Sequence, residues 1–202
     1  MMKKILFGLL LVTTLLPAMN TVATAASKTG KATSTLVRIK TSMGVIDVKL
    51  DPVKAPVTVA NFLRYTRDKK YDGTIFHRVI RNFMIQTGGF EPRMRKREAY
   101  GPIKNEADNG LKNLAGTLAM ARTNDPHSAS NQFFINAVDN AFLDHKSKTS
   151  RGWGYAVFGK VVKGMDVVKA IETVPTTRNG YFGDTPVKDI TIISVREIKK
   201  KR

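Results

Sequence analysis

The chain reads as a mostly β domain, an antiparallel sandwich or barrel that carries two helices. Three observations predict this. Short β-branched and aromatic runs recur between glycine, asparagine and proline positions, only two stretches repeat apolar residues at a helical spacing, and no internal repeat of fixed period is present.

Two strand runs open the domain, at residues 35–41 and 45–50. In the first, Val37 and Ile39 alternate with Arg38 and Lys40. In the second, Ile46, Val48 and Leu50 share one face and Val45, Asp47 and Lys49 the other, with a hairpin turn expected at Met43 and Gly44. Pro56 suits a helix start, and Val59, Phe62, Leu63 and Tyr65 or Thr66 recur near the helical period, which predicts a helix over residues 55–68 covering an end or flank of the sheet. Further short strands are expected at residues 74–80, 83–87, 117–121, 132–136 and 155–162. A second helix over 165–174, with Met165, Val168 and Ile171 on one side, is stopped by Pro175, and a last strand follows at 187–198. The longest irregular stretch, residues 90–112, is long enough to be a binding surface rather than a passive link.

Ahead of this domain, Lys3 and Lys4, an apolar run over residues 5–19 and the small residues Ala23, Thr24 and Ala25 describe a secretory signal peptide over residues 1–25. The alternative is a membrane anchor, which needs about 20 apolar residues, and Thr13, Thr14 and Pro17 interrupt this run. Residues 26–34 are small and polar and form a flexible entry to a domain at 35–198, and 199–202 are a basic tail. Without the leader, 177 residues remain, the size of one domain. The expected location is a bacterial periplasm, with secretion beyond the cell as the alternative.

The absence of cysteine excludes structural disulfides, a thiol nucleophile and a cysteine-linked lipid. The formal charge is +18, or +16 without the two leader lysines, which raises affinity for anionic surfaces. The cations are scattered, and the tight clusters are Arg93, Arg95, Lys96 and Arg97 and the tail. A solvated face is the plain reading and weak contact with an anionic surface the functional one. No recognition motif points to specific nucleic-acid binding.

Metal and serine chemistry find little support. His77, His127 and His145 stand in no metal-ligand spacing, and Ser128 and Ser130 lie near histidine and aspartate without a GxSxG elbow. More informative are FHRVIRNFMIQTGG, residues 76–89, and SNQFFIN, residues 130–136. With Phe76, Arg78 and Ile80 on one strand face and His77 and Val79 on the other, Arg78 projects beside apolar groups without entering the core. A turn at Arg81 and Asn82 returns Phe83 and Gln86 alongside it, and Gln132 and Phe134 share a face. The result is an apolar pocket rimmed by one guanidinium and two amides, a receptor for an unreactive peptide. The competing reading has Phe83, Met84, Phe133, Phe134 and Phe142 filling a β core with Arg78 a surface cation. Alternation by itself leaves both open.

These two segments, followed in order by IKNEADNGL, GTLAMAR, NAFLDH and YAVFGKVVKGMDVV around the second of them, resemble the cyclophilin family of peptidyl-prolyl cis-trans isomerases over residues 36–195. The likeness is to its exported bacterial members in particular. The resemblance implies an all-β, closed eight-stranded antiparallel β-barrel capped by two α-helices, its groove on the outside because side chains fill so small a barrel. It implies that Arg78 is the catalytic arginine, that Gln86 orients this arginine and the substrate, and that Phe83, Met84 and Phe134 hold the proline. Gln132 matches a second groove amide, Ala121 and Arg122 the strand edge that receives peptide backbone, and Phe142 and Leu143 the remaining wall; Tyr155 occupies the place of a histidine in many relatives. Arg122 replaces a frequent asparagine, and Arg81 and Asn82 replace a common proline and glycine turn. Phe142 replaces a tryptophan whose indole N–H can bond cyclosporin, which implies weaker inhibition by that ligand. The implied partners are proline-containing unfolded or partly folded exported proteins, bound by a monomer, and the chemistry calls for no nucleophile, metal or cofactor. A proline-dependent binding module without turnover is the competing class.

Overall fold

The computed structural model describes residues 35–180 and 182–198; the expected leader, entry segment and basic tail lie outside the described residues. The alternation of the first two runs produces a hairpin of β1 (Leu36–Thr41) and β2 (Gly44–Leu50), with Arg38 opposite Asp47 and Ile39 opposite Ile46. Val37, Ile39, Ile46, Val48 and Leu50 turn inward and are buried, while Arg38 grips the Asp47 carboxylate at 2.7 and 2.8 Å on the outer face. The turn itself is Ser42 and Met43, one position earlier than expected. Gly44 begins β2 at φ 140°, where a Cβ would strike Val167 at 2.7 Å.

Helix α1 (Pro56–Arg67) starts on its proline and ends with Arg64 and Arg67 in the last turn, where cations suit the helix dipole. Its apolar side is buried through Val59, Phe62, Leu63 and Tyr65. Phe62 is the hub: its ring lies 5.1 Å from Tyr71, 5.2 Å from Phe133 and 5.3 Å from Phe158. Burying a side chain of this kind contributes roughly 1.5–3 kcal/mol.

The chain continues through β3 (Arg78–Ile80), β4 (Met84–Thr87), β5 (Phe90–Glu91), β6 (Arg95–Lys96), β7 (Thr117–Met120), β8 (Phe133–Asn136) and β9 (Val157–Lys163), then α2 (Met165–Glu172), β10 (Thr176–Asn179), β11 (Phe182–Pro186) and β12 (Ile192–Glu197). Eight strands form one curled antiparallel sheet in the order β12, β1, β2, β9, β7, β8, β4, β3. The stretch before β3 meets the stretch before β12 through a bridge between Ile75 and Thr191, with Gly73 N–H donating to Ile192 O at 2.8 Å and Phe76 N–H to Ile190 O at 2.9 Å. Helix α2 packs Val168 and Ile171 into the same core that α1 covers. The mostly β class and the two helices are thus as expected.

Several boundaries differ. The strand expected at residues 74–80 is only β3, because residues 73–76 are engaged by residues 190–192 instead of by β4. The alternation breaks there, and Phe76 joins Val79 in the core rather than sharing a face with Arg78. The last strand begins at Ile192, and Val187 is 61 % exposed. The hairpins β5–β6 and β10–β11 were not expected, since RK and TTRN lack apolar alternation. Residues 90–112 act in part as a strap: Tyr100 packs on Tyr65 at 4.8 Å between ring centres, and Ile103 N–H donates to Ala129 O at 2.9 Å. Glu106 accepts hydrogen bonds from the Val57 and Thr58 N–H groups at 3.0 and 2.8 Å, capping a helix whose own N-cap residue, Ala55, has no side chain to do so.

Candidate active site

The outer face of β3, β4, β8 and β7 carries a second apolar cluster of Met84, Ala119, Phe134, Leu143 and Val157, separate from the core. Register puts it there. Arg78 is opposite Gln86, Gln86 is opposite Phe134, and Phe134 is opposite Ala119, so these side chains stand in one row across four strands. The β3–β4 turn is tight because Asn82 adopts φ 57°, which asparagine tolerates, and its N–H donates at 3.0 Å to Glu172 at the end of α2. Asn140 and Ala137 both bond the Phe83 carbonyl, at 3.0 and 2.9 Å, which fixes the chain beside the pocket.

A cleft of about 100 Å³ opens on this face, and nine of the eleven expected site residues line it: Arg78, Phe83, Met84, Gln86, Ala121, Arg122, Phe134, Leu143 and Tyr155. Gln132 stands behind the cleft, accepting a hydrogen bond from Gln86 Nε2 at 2.8 Å. Phe142 extends the wall outward; it is 65 % exposed and stacks on Phe83 at 5.5 Å. Phe83 lines the cleft with Phe142 stacked on it as an exposed ring, while Phe133 belongs to the core, which divides the two competing readings of these aromatics. Tyr155 meets Phe134 edge-on at 5.7 Å. Arg122 is tied down: it donates to Gly154 O at 2.9 Å and to Thr123 O at 2.8 Å, and lies over the Tyr155 ring at 4.8 Å.

Arg78 is unlike Arg122. Its side chain is 43 % exposed and makes no hydrogen bond among the described residues, so its N–H groups are available to a ligand. The Asp184 carboxylate, which sequence reasoning missed, stands 4.0 Å from its Nε. Two further neighbours complete the surroundings: Gly89, which sequence reasoning did not assign, and His77, which it placed on the face opposite Arg78. Gly89 lies under Gln132, and His77 is buried against Phe90 at 4.7 Å between rings with its Nδ1 unpartnered. Burial pushes the His77 pKa down to about 4, helped by the charge of Arg78 and opposed by Ile75 and Gln132.

A roomier cleft, about 520 Å³, lies elsewhere, between Leu50, Val53, Leu114 and Val157, with Lys49, Asp51, Lys112, Thr117 and Lys160 also lining it. The smaller cleft is the one that brings Arg78 and Gln86 together with Phe83, Met84 and Phe134, so chemistry favours it. Among the described residues no cluster of histidine, aspartate and glutamate is arranged to hold a metal, and no helix is long and apolar enough to cross a membrane.

Comparison with known proteins gives the family. Residues 36–197 match the family model described as cyclophilin type peptidyl-prolyl cis-trans isomerase/CLD. The chain is 58 % identical over 160 residues to a peptidyl-prolyl cis-trans isomerase of Streptomyces antibioticus, covering 79 % of this chain and 96 % of that one. It is 56 % identical over 160 residues to peptidyl-prolyl cis-trans isomerase B of Escherichia coli, covering 79 % and 98 %. Among solved structures it is similar to a cyclophilin type peptidyl-prolyl cis-trans isomerase of Cryptosporidium parvum, with 25 % identity, a TM-score of 0.69 and coverage of 84 % and 100 %.

Proposed function

This chain belongs to the cyclophilin-type peptidyl-prolyl cis-trans isomerase family and is a peptidyl-prolyl cis-trans isomerase, and from that premise we propose that Arg78 supplies the decisive hydrogen bond and that the clients are exported proteins. A peptide bond is planar because its nitrogen shares its lone pair with the carbonyl, and rotation costs about 18–20 kcal/mol. As the X-Pro bond twists, the lone pair returns to the prolyl nitrogen, which becomes an acceptor. Arg78 donates to it there. Phe83, Met84, Phe134 and Leu143 hold the ring, Gln86 and Gln132 steady the flanking peptide with Arg78, and Ala121 and Arg122 receive its backbone, with Phe142 and Tyr155 completing the walls. Only binding that is tighter in the twisted state accelerates rotation, at about 1.36 kcal/mol for each factor of ten.

The observation that carries this reading is the register that sets a guanidinium with no hydrogen bond among the described residues directly opposite Gln86, beside a pocket too small for anything much larger than one ring. The test is prolyl exchange by NMR on the mature chain. Arg78→Ala should lose roughly 10²-fold or more in rate with the fold intact, and exchange equal to wild type removes the assigned role.

The reading extends to location and assembly. Residues 1–25 support export to a periplasm or beyond, and the N-terminal sequence of protein recovered from a periplasmic extract tests it: a chain that still begins at Met1 in the cytoplasm overturns it. The protein works as a monomer, its clients are unfolded or partly folded chains, and its excess cations give at most weak contact with anionic surfaces. Closure of the curled sheet into a full barrel through residues 73–76 and 190–192 belongs to the same proposal.

A further inference from the structure

The β10–β11 hairpin has no counterpart in the sequence pattern, yet its return strand runs beside β3 and the groove. Two anchors hold it there. The buried Thr185 hydroxyl donates to the His77 carbonyl at 3.2 Å, and Phe182 meets Phe90 edge-on at 5.0 Å between ring centres. Asp184 sits between them at φ 58°, left-handed backbone that residues with a side chain avoid and that asparagine and aspartate tolerate best. A conformation of this kind is retained where the surrounding structure demands it, and such places cluster at functional sites. Here it accompanies a carboxylate whose Oδ2 stands 4.0 Å from Arg78 Nε.

We propose that Asp184 is a positioning residue for the isomerase reaction: its carboxylate draws the Nε edge of Arg78 toward β11 and so aims the two Nη groups over the proline pocket. The inference rests on the donor role proposed above for Arg78. A half-exposed arginine with no hydrogen bond among the described residues samples many rotamers, and those directed into water contribute nothing to rotation. At 4.0 Å the carboxylate is beyond hydrogen-bond range, so it attracts the guanidinium without occupying any of its donors. That is what the reaction needs, because the arginine must follow an acceptor that changes as the amide twists. Both groups are about half exposed, so water screens the attraction and the effect is a bias on orientation rather than a clamp.

The decisive variant is Asp184→Asn, which keeps the shape and the tolerance of left-handed backbone while removing the charge. The expected result is a loss of about two- to fivefold in kcat with KM nearly unchanged, together with a shift of the Arg78 Nε–H resonance in the free enzyme. Asp184→Gly, which accepts the same backbone without strain, should lose as much, and Asp184→Glu should recover part of the rate. In an Arg78→Ala background, Asp184→Asn should cost nothing further. A rate equal to wild type for both Asp184→Asn and Asp184→Gly, or the same fractional loss in both backgrounds, overturns the proposal. An Arg78→Ala enzyme as fast as wild type would instead refute the donor role itself, and the inference would fall with it.

Discussion

Gln132 accepts its hydrogen bond from Gln86 while lying directly against Gly89: a Cβ on that glycine would meet Gln132 Cγ and Cδ at 2.6 Å and Nε2 at 2.7 Å. The glycine is therefore the floor on which the Gln132 side chain rests. Its φ is not positive, so the backbone itself accepts a side chain there. The group in the way is the far end of a flexible, half-buried glutamine, which yields by swinging aside.

Gly89→Ala should accordingly leave the fold within about 1 kcal/mol of wild type while breaking the Gln86–Gln132 bond. A side-chain hydrogen bond contributes about 0.5–1.5 kcal/mol, so kcat/KM should fall roughly three- to tenfold. Exchange spectroscopy reads the rate, and the side-chain amide resonances of Gln86 and Gln132 read the displacement. Unmoved resonances with an unchanged rate would show that neither depends on this floor.

His77 makes stability depend on pH. Its folded-state pKa is depressed to about 4 from the ordinary 6.5, chiefly by burial, so between these values the unfolded chain binds a proton that the native one refuses. Stability is therefore complete above pH 6.5 and is lost as the pH falls toward 4, by an amount on the order of 3 kcal/mol from this residue. Urea unfolding at a series of pH values, with the His77 ring followed by NMR, checks both parts. A ring that titrates near 6.5 in the folded protein would contradict the prediction.

Glu106 caps α1 from 48 residues away, accepting from the Thr58 hydroxyl at 2.7 Å as well as from two backbone N–H groups. Removing it leaves those donors at the helix start unmet and takes a negative charge from the positive end of the helix dipole. Glu106→Ala should destabilise the protein by about 1–2 kcal/mol, while Glu106→Gln, which keeps an acceptor, should lose less. Denaturant midpoints at constant m-value measure the difference, and equal midpoints for all three proteins would show the cap to be idle.

Part of the groove was legible because strand geometry has a period of two, and the rest only through the family resemblance. Once β3, β4 and β8 are recognised, Arg78, Gln86 and Phe134 must fall in one row, and only the register remains to be found. Local turn chemistry was legible at Asn82 for a similar reason, since few residues accept φ 57°. The core alternation of Val37, Ile39, Ile46, Val48 and Leu50, and the buried side of α1, follow from the same kind of short-range rule. Where the rule failed, at Phe76, the chain had left its neighbouring strand to meet residues 190–192, a partner more than a hundred positions away.

What the sequence determined by itself is most strands of the main sheet and both helices, which side of each is apolar, and that Gln86 and Gln132 stand near Arg78, because these depend on residues within a few positions of one another. Only the tertiary structure decided that Glu106 would cap α1, that Gly89 would support Gln132, and that Asp184 would stand beside Arg78. Each of those pairs is joined across a curled sheet or a long strap, and no local periodicity records a contact whose distance along the chain is set by how the whole domain closes on its core.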